Sequence, residues 1–194
     1  MSDATITARA QKGVLSLLGR QAITFPINLL VGVLLARLLS PADFGTYATV
    51  SLLVMGTGVL LDVGLGAIVV QQPEEPTQAL LRSVFTVQML IFGLAATAIA
   101  LIARPAAVWF HLTADGPSLL RAMALSMVIA VFGSNSHLLL ERRMQFTVFA
   151  RLDVVNTLVE RVGALVLAYL GFGTWSFVIG ALAAVCLRVV LLFA

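Results

Sequence analysis

Residues Ser83 to Ala103 read SVFTVQMLIFGLAATAIALIA, 21 consecutive positions without an ionisable side chain. A helix rises about 1.5 Å per residue, so this run extends about 30 Å, the hydrocarbon thickness of a bilayer. Four further charge-free runs surround it: Gln21 to Ala36, Phe44 to Leu61, Ala122 to Leu140 and Val162 to Leu187. The last is 26 residues long with Gly171-Phe172-Gly173 at its middle, and reads as the end of one span and the start of another. The pattern predicts six spans, near residues 14–39, 44–70, 81–103, 118–140, 152–170 and 174–194. The fold class that follows is all-α, a polytopic membrane helical bundle of about six transmembrane helices.

Composition agrees: 60% hydrophobic and 11% charged residues with a mean hydropathy of +1.05, against roughly 45–50% and about 25% in soluble domains. Six spans of about 20 residues consume roughly 120 positions. Residues 1–194 therefore form a single transmembrane lobe without room for a separate catalytic domain, and an enzyme is not expected. A net charge of +3 and a pI of 9.8 could suggest nucleic acid in a soluble protein. Here the basic residues stand at the ends of apolar runs, which is membrane topology, so no nucleic-acid partner is expected. The single cysteine, Cys186, lies inside an apolar run and reads as packing; no disulfide or thiol metal site follows from it. The first apolar stretch lacks a small-residue cleavage pattern and reads as a retained span rather than a signal peptide.

Between spans one and two, Ser40-Pro41-Ala42-Asp43 is a helix start: a Ser cap, Pro at the first helical position, and an acid three residues on to complete a capping box. A tight hairpin of the first two spans is expected from it. Gln71 to Gln78 forms a polar break, Arg104-Pro105 is expected to end span three, and Gly116-Pro117 restarts the helix. Trp109, Phe110 and His111 suit the headgroup zone. Counting basic residues on alternate sides places Arg9, Lys12, Arg20, Arg82, Arg142, Arg143 and Arg151 on one side and Arg37, Arg104 and Arg121 on the other. The excess on the first side predicts a cytoplasmic amino terminus.

Polar groups at membrane depth are costly and mark functional positions. In span one, Arg20, Thr24 and Asn28 recur every four residues and share a helical face, with Pro26 favouring a bend between them; a cavity-lining helix and a snorkelling Arg beside a structural kink both fit this pattern. Span two carries Asp62 among Gly56, Gly58, Gly64 and Gly66, either a hinge-like transport site or close packing through small residues. In span five, Asp153, Asn156 and Glu160 follow one face with Arg161 beside Glu160. Adjacent helical residues diverge by about 100°, so Glu160 and Arg161 are expected to find partners on other helices, Asp62 being one for Arg161. Ser134, Asn135, Ser136 and His137 form a polar patch in span four. His137 has no second ligand at metal spacing, so no metal site is expected.

The strings LLARLLSPADFGTYATV (Leu34 to Val50), DVGLGAIVVQQ (Asp62 to Gln72), LLLERRMQF (Leu138 to Phe146) and LGFGTWSFV (Leu170 to Val178) resemble, in order, the polysaccharide transporter family, the Wzx-like oligosaccharide-lipid flippases of the MOP superfamily. The resemblance implies one lobe of a MOP-type flippase in the bacterial cytoplasmic (inner) membrane. Such a protein moves undecaprenyl-pyrophosphate-linked oligosaccharide outward by alternating access, for O-antigen (lipopolysaccharide), capsule or exopolysaccharide synthesis. It further implies cavity arginines that meet the anionic carrier, an Na+ or H+ gradient as drive, and no other cofactor. Carried onto this chain, the substrate-binding candidates are Arg20, Asn28, Arg37, Asp62, Glu160 and Arg161. Arg20, Arg37 and Arg161 would be the cationic groups, and Asp62 and Glu160 ion-linked or structural acids.

Family members have two lobes around the cavity, and this chain corresponds to about the first half of one. The expected partners are thus lipid-linked oligosaccharide, membrane lipid, and a carboxy-terminal lobe or second copy that closes the cavity. A MATE-like multidrug or small-molecule exporter, a non-transporting scaffold or remnant lobe, and a membrane-embedded transferase are the competing readings. Drug resistance, absence of either transport phenotype, and product formation on a labelled lipid carrier would respectively reveal them.

Overall fold

In a computed structural model, which describes residues 3–61, 77–142 and 146–193, the chain forms α1 (Asp3–Leu38), α2 (Pro41–Leu61), α3 (Gln78–Trp109), α4 (Gly116–Arg142), α5 (Phe146–Tyr169) and α6 (Trp175–Phe193). No strand occurs among the described residues. Five helical segments among the described residues, Leu18–Leu38, Pro41–Leu61, Gln78–Trp109, Gly116–Leu140 and Trp175–Phe193, are long and apolar enough to cross a membrane. The exception is α5. Its 24 residues give about 36 Å of length, but Asp153, Glu160 and Arg161 all fall within one bilayer thickness. It nevertheless packs within the bundle, between α1 and α6.

Helix ends follow local chemistry. At the start of α2 the capping box is reciprocal: the Asp43 N–H donates to Ser40 Oγ at 3.2 Å, while the Ser40 N–H and Oγ–H donate to Asp43 Oδ2 at 3.0 and 2.7 Å. The charge-free run breaks where expected, because Gly171 has φ +85°. With it the Phe172 N–H reaches back to the Leu167 carbonyl and the Gly171 N–H to Ala168, the left-handed stop that glycine accommodates without strain.

Two boundary expectations are corrected. Arg104-Pro105 does not end the helix of span three; α3 continues through Pro105 to Trp109. Proline there removes a single ladder hydrogen bond close to the helix end, and Ala103 and Ala107, buried on either side of it, keep that last turn packed. Nor are residues 141–151, which the expected spans 118–140 and 152–170 leave between them, mainly loop, since α4 reaches Arg142 and α5 begins at Phe146. Residues 62–76, which hold the end of the expected second span and most of the polar break after it, lie outside the described residues.

The expected hairpin of spans one and two is also corrected. The two helices share the tight Ser40 turn but do not pack along one another; α1 lies on α5, and α2 lies on α4 and, more lightly, α3. The remaining main contacts are α3 with α4, α5 with α6, and α4 with α6. The bundle is thus two helix groups, α1–α5 and α2–α3–α4, joined through α6. Neighbouring residues of α6 serve the two sides. Val178 joins Val50, Ile99, Leu119, Leu120 and Met123 in one core, and Phe177 joins Val31, Leu35, Leu39, Ala164 and Ala168 in the other.

Interfaces use small residues, as expected where lipid offers no hydrophobic drive and close backbone approach supplies the attraction. Gly180 is the tightest: a Cβ built there would lie 2.7 Å from the Glu160 carbonyl oxygen and 3.2 Å from the Ala164 nitrogen. Large apolar side chains point outward instead, among them Leu52, Val59, Leu60, Leu94 and Leu101. In water this surface would be an aggregation liability; in a bilayer it is the solvated face.

One end of the bundle is riveted. Thr174 donates its hydroxyl hydrogen to Asp43 Oδ1 at 2.6 Å, tying the α1–α2 turn to the α5–α6 turn. Beside that bond Phe177 stacks on Tyr47 with ring centroids 4.4 Å apart and meets Phe44 edge-on at 5.2 Å. The strings SPADFG and GFGTWSF, separated by about 130 residues, are therefore the two halves of one contact.

Candidate functional site

The charged residues inside the bundle gather on α5. Asp153 lies between two arginines from different helices: Arg20 of α1 donates through Nη1 to Asp153 Oδ2, and Arg188 Nη2 of α6 stands 3.6 Å from Asp153 Oδ1. All three side chains are half-buried, with 24–34% of their surface exposed. Two cations against one carboxylate leave the cluster with a formal charge of +1. Seven residues further along α5, about 10 Å of rise, Glu160 and Arg161 form a looser pair at 3.7 Å. Tyr47 of α2 lies within electrostatic reach of both.

Backbone geometry holds these groups in place. The close approach of α6 at Gly180 is made against the Glu160 carbonyl itself, so the α5–α6 crossing sets the position of Glu160. Thr24 Oγ1 donates to the Arg20 carbonyl at 3.0 Å, two residues before Pro26, and Thr24 is buried. Two polar atoms near the charges are unmet: Asn156 Oδ1 and Arg161 Nε are buried and make no hydrogen bond. Such atoms are expensive in a low-dielectric interior and single out places where a polar ligand can bind.

The sequence-derived candidates divide. Arg20, Glu160 and Arg161 are brought to the α1–α5–α6 interior. Asn28 is exposed, unlike Thr24 one turn before it; steps of four residues drift about 40° around a helix, and the shared face of Arg20, Thr24 and Asn28 does not hold its environment. Arg37 is exposed near the end of α1, 17 residues or about 26 Å of rise from Arg20, too far to join the same cluster. Asp62, and with it the expected pairing to Arg161, lies outside the described residues. The expectation that Glu160 and Arg161 avoid each other is corrected, because their long side chains fold back far enough to meet at 3.7 Å.

Arg188 and Asp153 are the members absent from the sequence-derived candidates, although Asp153 lies on the polar face read in span five. A signal existed for the first, since Arg188 is the one charged side chain in the 19 residues of α6, and a lone charge at that depth calls for an acid partner. Of the span-four polar patch, Asn135 Nδ2 donates to the Leu81 carbonyl at 3.1 Å and His137 packs edge-on to Phe149 at 4.8 Å. Both tie α4 to its neighbours.

A helical bundle with apolar side chains outward and charges collected between its helices is a multi-pass membrane protein with a polar interior. A family model described as polysaccharide biosynthesis protein matches residues 34–194, and the chain belongs to that family. It is similar to the succinoglycan biosynthesis transport protein ExoT of Rhizobium meliloti (strain 1021), with 33% identity over 173 residues that cover 89% of this chain and 34% of the relative. The chain thus spans about a third of the length of that curated relative. No solved structure matches it.

Proposed function

We propose that this bundle is a lobe of a transporter that carries lipid-linked oligosaccharide across the bacterial cytoplasmic membrane by alternating access. The observation that supports the reading most is the α5 face: a net-positive Arg20–Asp153–Arg188 cluster, followed within about 10 Å of rise by the Glu160–Arg161 pair and two buried, unmet polar atoms. Central charges cost roughly 2.5–3.5 kcal/mol each on insertion scales, an expense that an anionic headgroup in the cavity offsets. The guanidinium groups would hold the pyrophosphate of the carrier by charge-assisted hydrogen bonds, while its polyprenyl tail stays in the bilayer. No bond is made or broken.

In this reading the amino terminus is cytoplasmic, as the Lys and Arg distribution predicts. The Asp43–Thr174 rivet then holds the outer end of this lobe together, and the lobe rocks against the unit that completes the cavity. An Na+ or H+ gradient drives the cycle, and the half-exposed charge cluster is closed by a second helical unit, either further chain or another copy.

The test replaces Arg20 and Arg161 singly with Gln in the host gene and follows exported polysaccharide together with lipid-linked sugar in the membrane. Export should fall and the lipid-linked intermediate accumulate at unchanged protein level. Normal export in both variants would remove the residue assignment. Drug sensitivity without glycan accumulation would move the protein to small-molecule export.

A further inference from the structure

A second pair of arginines lies away from the cluster, on the bilayer-facing seam of α3 and α4. Arg121 of α4 donates through Nε to the Ala100 carbonyl of α3 at 3.3 Å. In an α-helix that carbonyl is directed at the N–H four residues on, which is Arg104. The Arg121 guanidinium is therefore anchored beside the backbone of Arg104. Both side chains are exposed, and neither forms an ion pair among the described residues; Asp115, the acid of the intervening turn, pairs with neither.

Depth decides what this pair meets. At 32 residues α3 is about 48 Å long and exceeds the roughly 30 Å hydrocarbon core by about 9 Å at each end. Arg104 lies five residues, about 7.5 Å, before the end of α3, and Arg121 the same number after the start of α4. The 27 residues of α4 span about 40 Å and overhang the core by about 5 Å at each end, so Arg104 stands at headgroup level and Arg121 about 2 Å below it, a depth from which a long side chain reaches the headgroups. Exposed Leu101, Leu125 and Trp109 border them, the last an aromatic side chain typical of the interface. Two exposed cations on one apolar seam repel one another, and the anion available at that depth is a lipid phosphate.

We propose that Arg104 and Arg121 bind the phosphodiester of an anionic phospholipid. Arg121 spends Nε on the anchor and keeps its two Nη groups for a phosphate oxygen, while Arg104 supplies the second contact. A zwitterionic lipid fits less well, because its ammonium would bring a third cation to the site. The site is independent of the transport reading and of the α5 charges.

Lipid retention by the purified chain, measured by native mass spectrometry with phosphatidylglycerol and with phosphatidylcholine, tests it. The double variant R104Q/R121Q should lose phosphatidylglycerol retention about tenfold, the effect of losing about one charge-assisted bond, with phosphatidylcholine unchanged. R37Q removes an isolated arginine assigned to the same membrane side and should leave both unchanged. Single R104Q, with an elution profile like the parent, covers the case in which the double variant misfolds. Undiminished phosphatidylglycerol retention, or an equal loss in R37Q, overturns the site. Displacement of the lipid by millimolar inorganic phosphate would make it a free-anion site and overturn the lipid assignment.

Discussion

Replacing Asp153 with Asn keeps the side-chain volume and removes the negative charge that Arg20 and Arg188 share. At 3.6 Å and an effective dielectric of about 20, one such pair attracts by roughly 4–5 kcal/mol before desolvation is counted. Breaking a fully buried pair costs about 3–5 kcal/mol, and an exposed one about 0–1. With side chains 24–34% exposed, this cluster falls between, and we expect Asp153→Asn to cost about 2 kcal/mol. For a chain of this size that is a fall of about 4–8 °C in Tm, read by thermal unfolding in detergent. The three-helix arrangement also predicts a failure. The charge swap R20D/D153R should not restore the parent Tm, because Arg188 then faces a new arginine; a simple two-residue pair would be rescued. Full recovery in the swap, or an Asp153→Asn variant within about 1 °C of the parent, on the same scale of a few degrees per kcal/mol, would refute the shared-carboxylate geometry.

Gly180→Ala places a methyl 2.7 Å from the Glu160 carbonyl oxygen, which backbone cannot yield, so a loss of about 1–3 kcal/mol is expected in the same unfolding assay. Gly93→Ala meets nothing within 4 Å in a helix interior and should instead stabilise by up to about 1 kcal/mol; equal effects at the two glycines would contradict the packing. Thr174→Val removes a hydroxyl donor to the Asp43 carboxylate and should cost about 1.5–3 kcal/mol. It should also raise the labelling rate of a cysteine placed in the Ser40 turn; an unchanged rate would argue against the rivet.

Most of the helices were legible because a bilayer imposes one requirement, a charge-free run long enough to cross it. Ser83–Ala103 and Phe44–Leu61 needed no other information, and the Gly171 stop and the Ser40 cap are local chemistry that three or four residues write out in full. The extension of α3 through Pro105 was not legible, since proline's local cost is outweighed there by Ala103 and Ala107 packed on either side. For the site, Arg20, Glu160 and Arg161 stood out by their depth, whereas the role of Arg188 depended on a partner 35 positions away.

The chain's residues on their own determined the fold class and the family, because these depend on hydropathy and on short strings with local conformational meaning. Which helices pair was decided only in three dimensions. Nothing in the runs of α1 and α2 shows that helices joined by a two-residue turn part company, α1 going to α5 and α2 to α4. That choice depends on close packing at Ala164, Ala168 and Gly180 and on Asp153 meeting arginines from both α1 and α6. Side-chain contacts between distant segments leave no periodic trace in either segment, so the charge cluster on α5 emerges only when the helices are brought together.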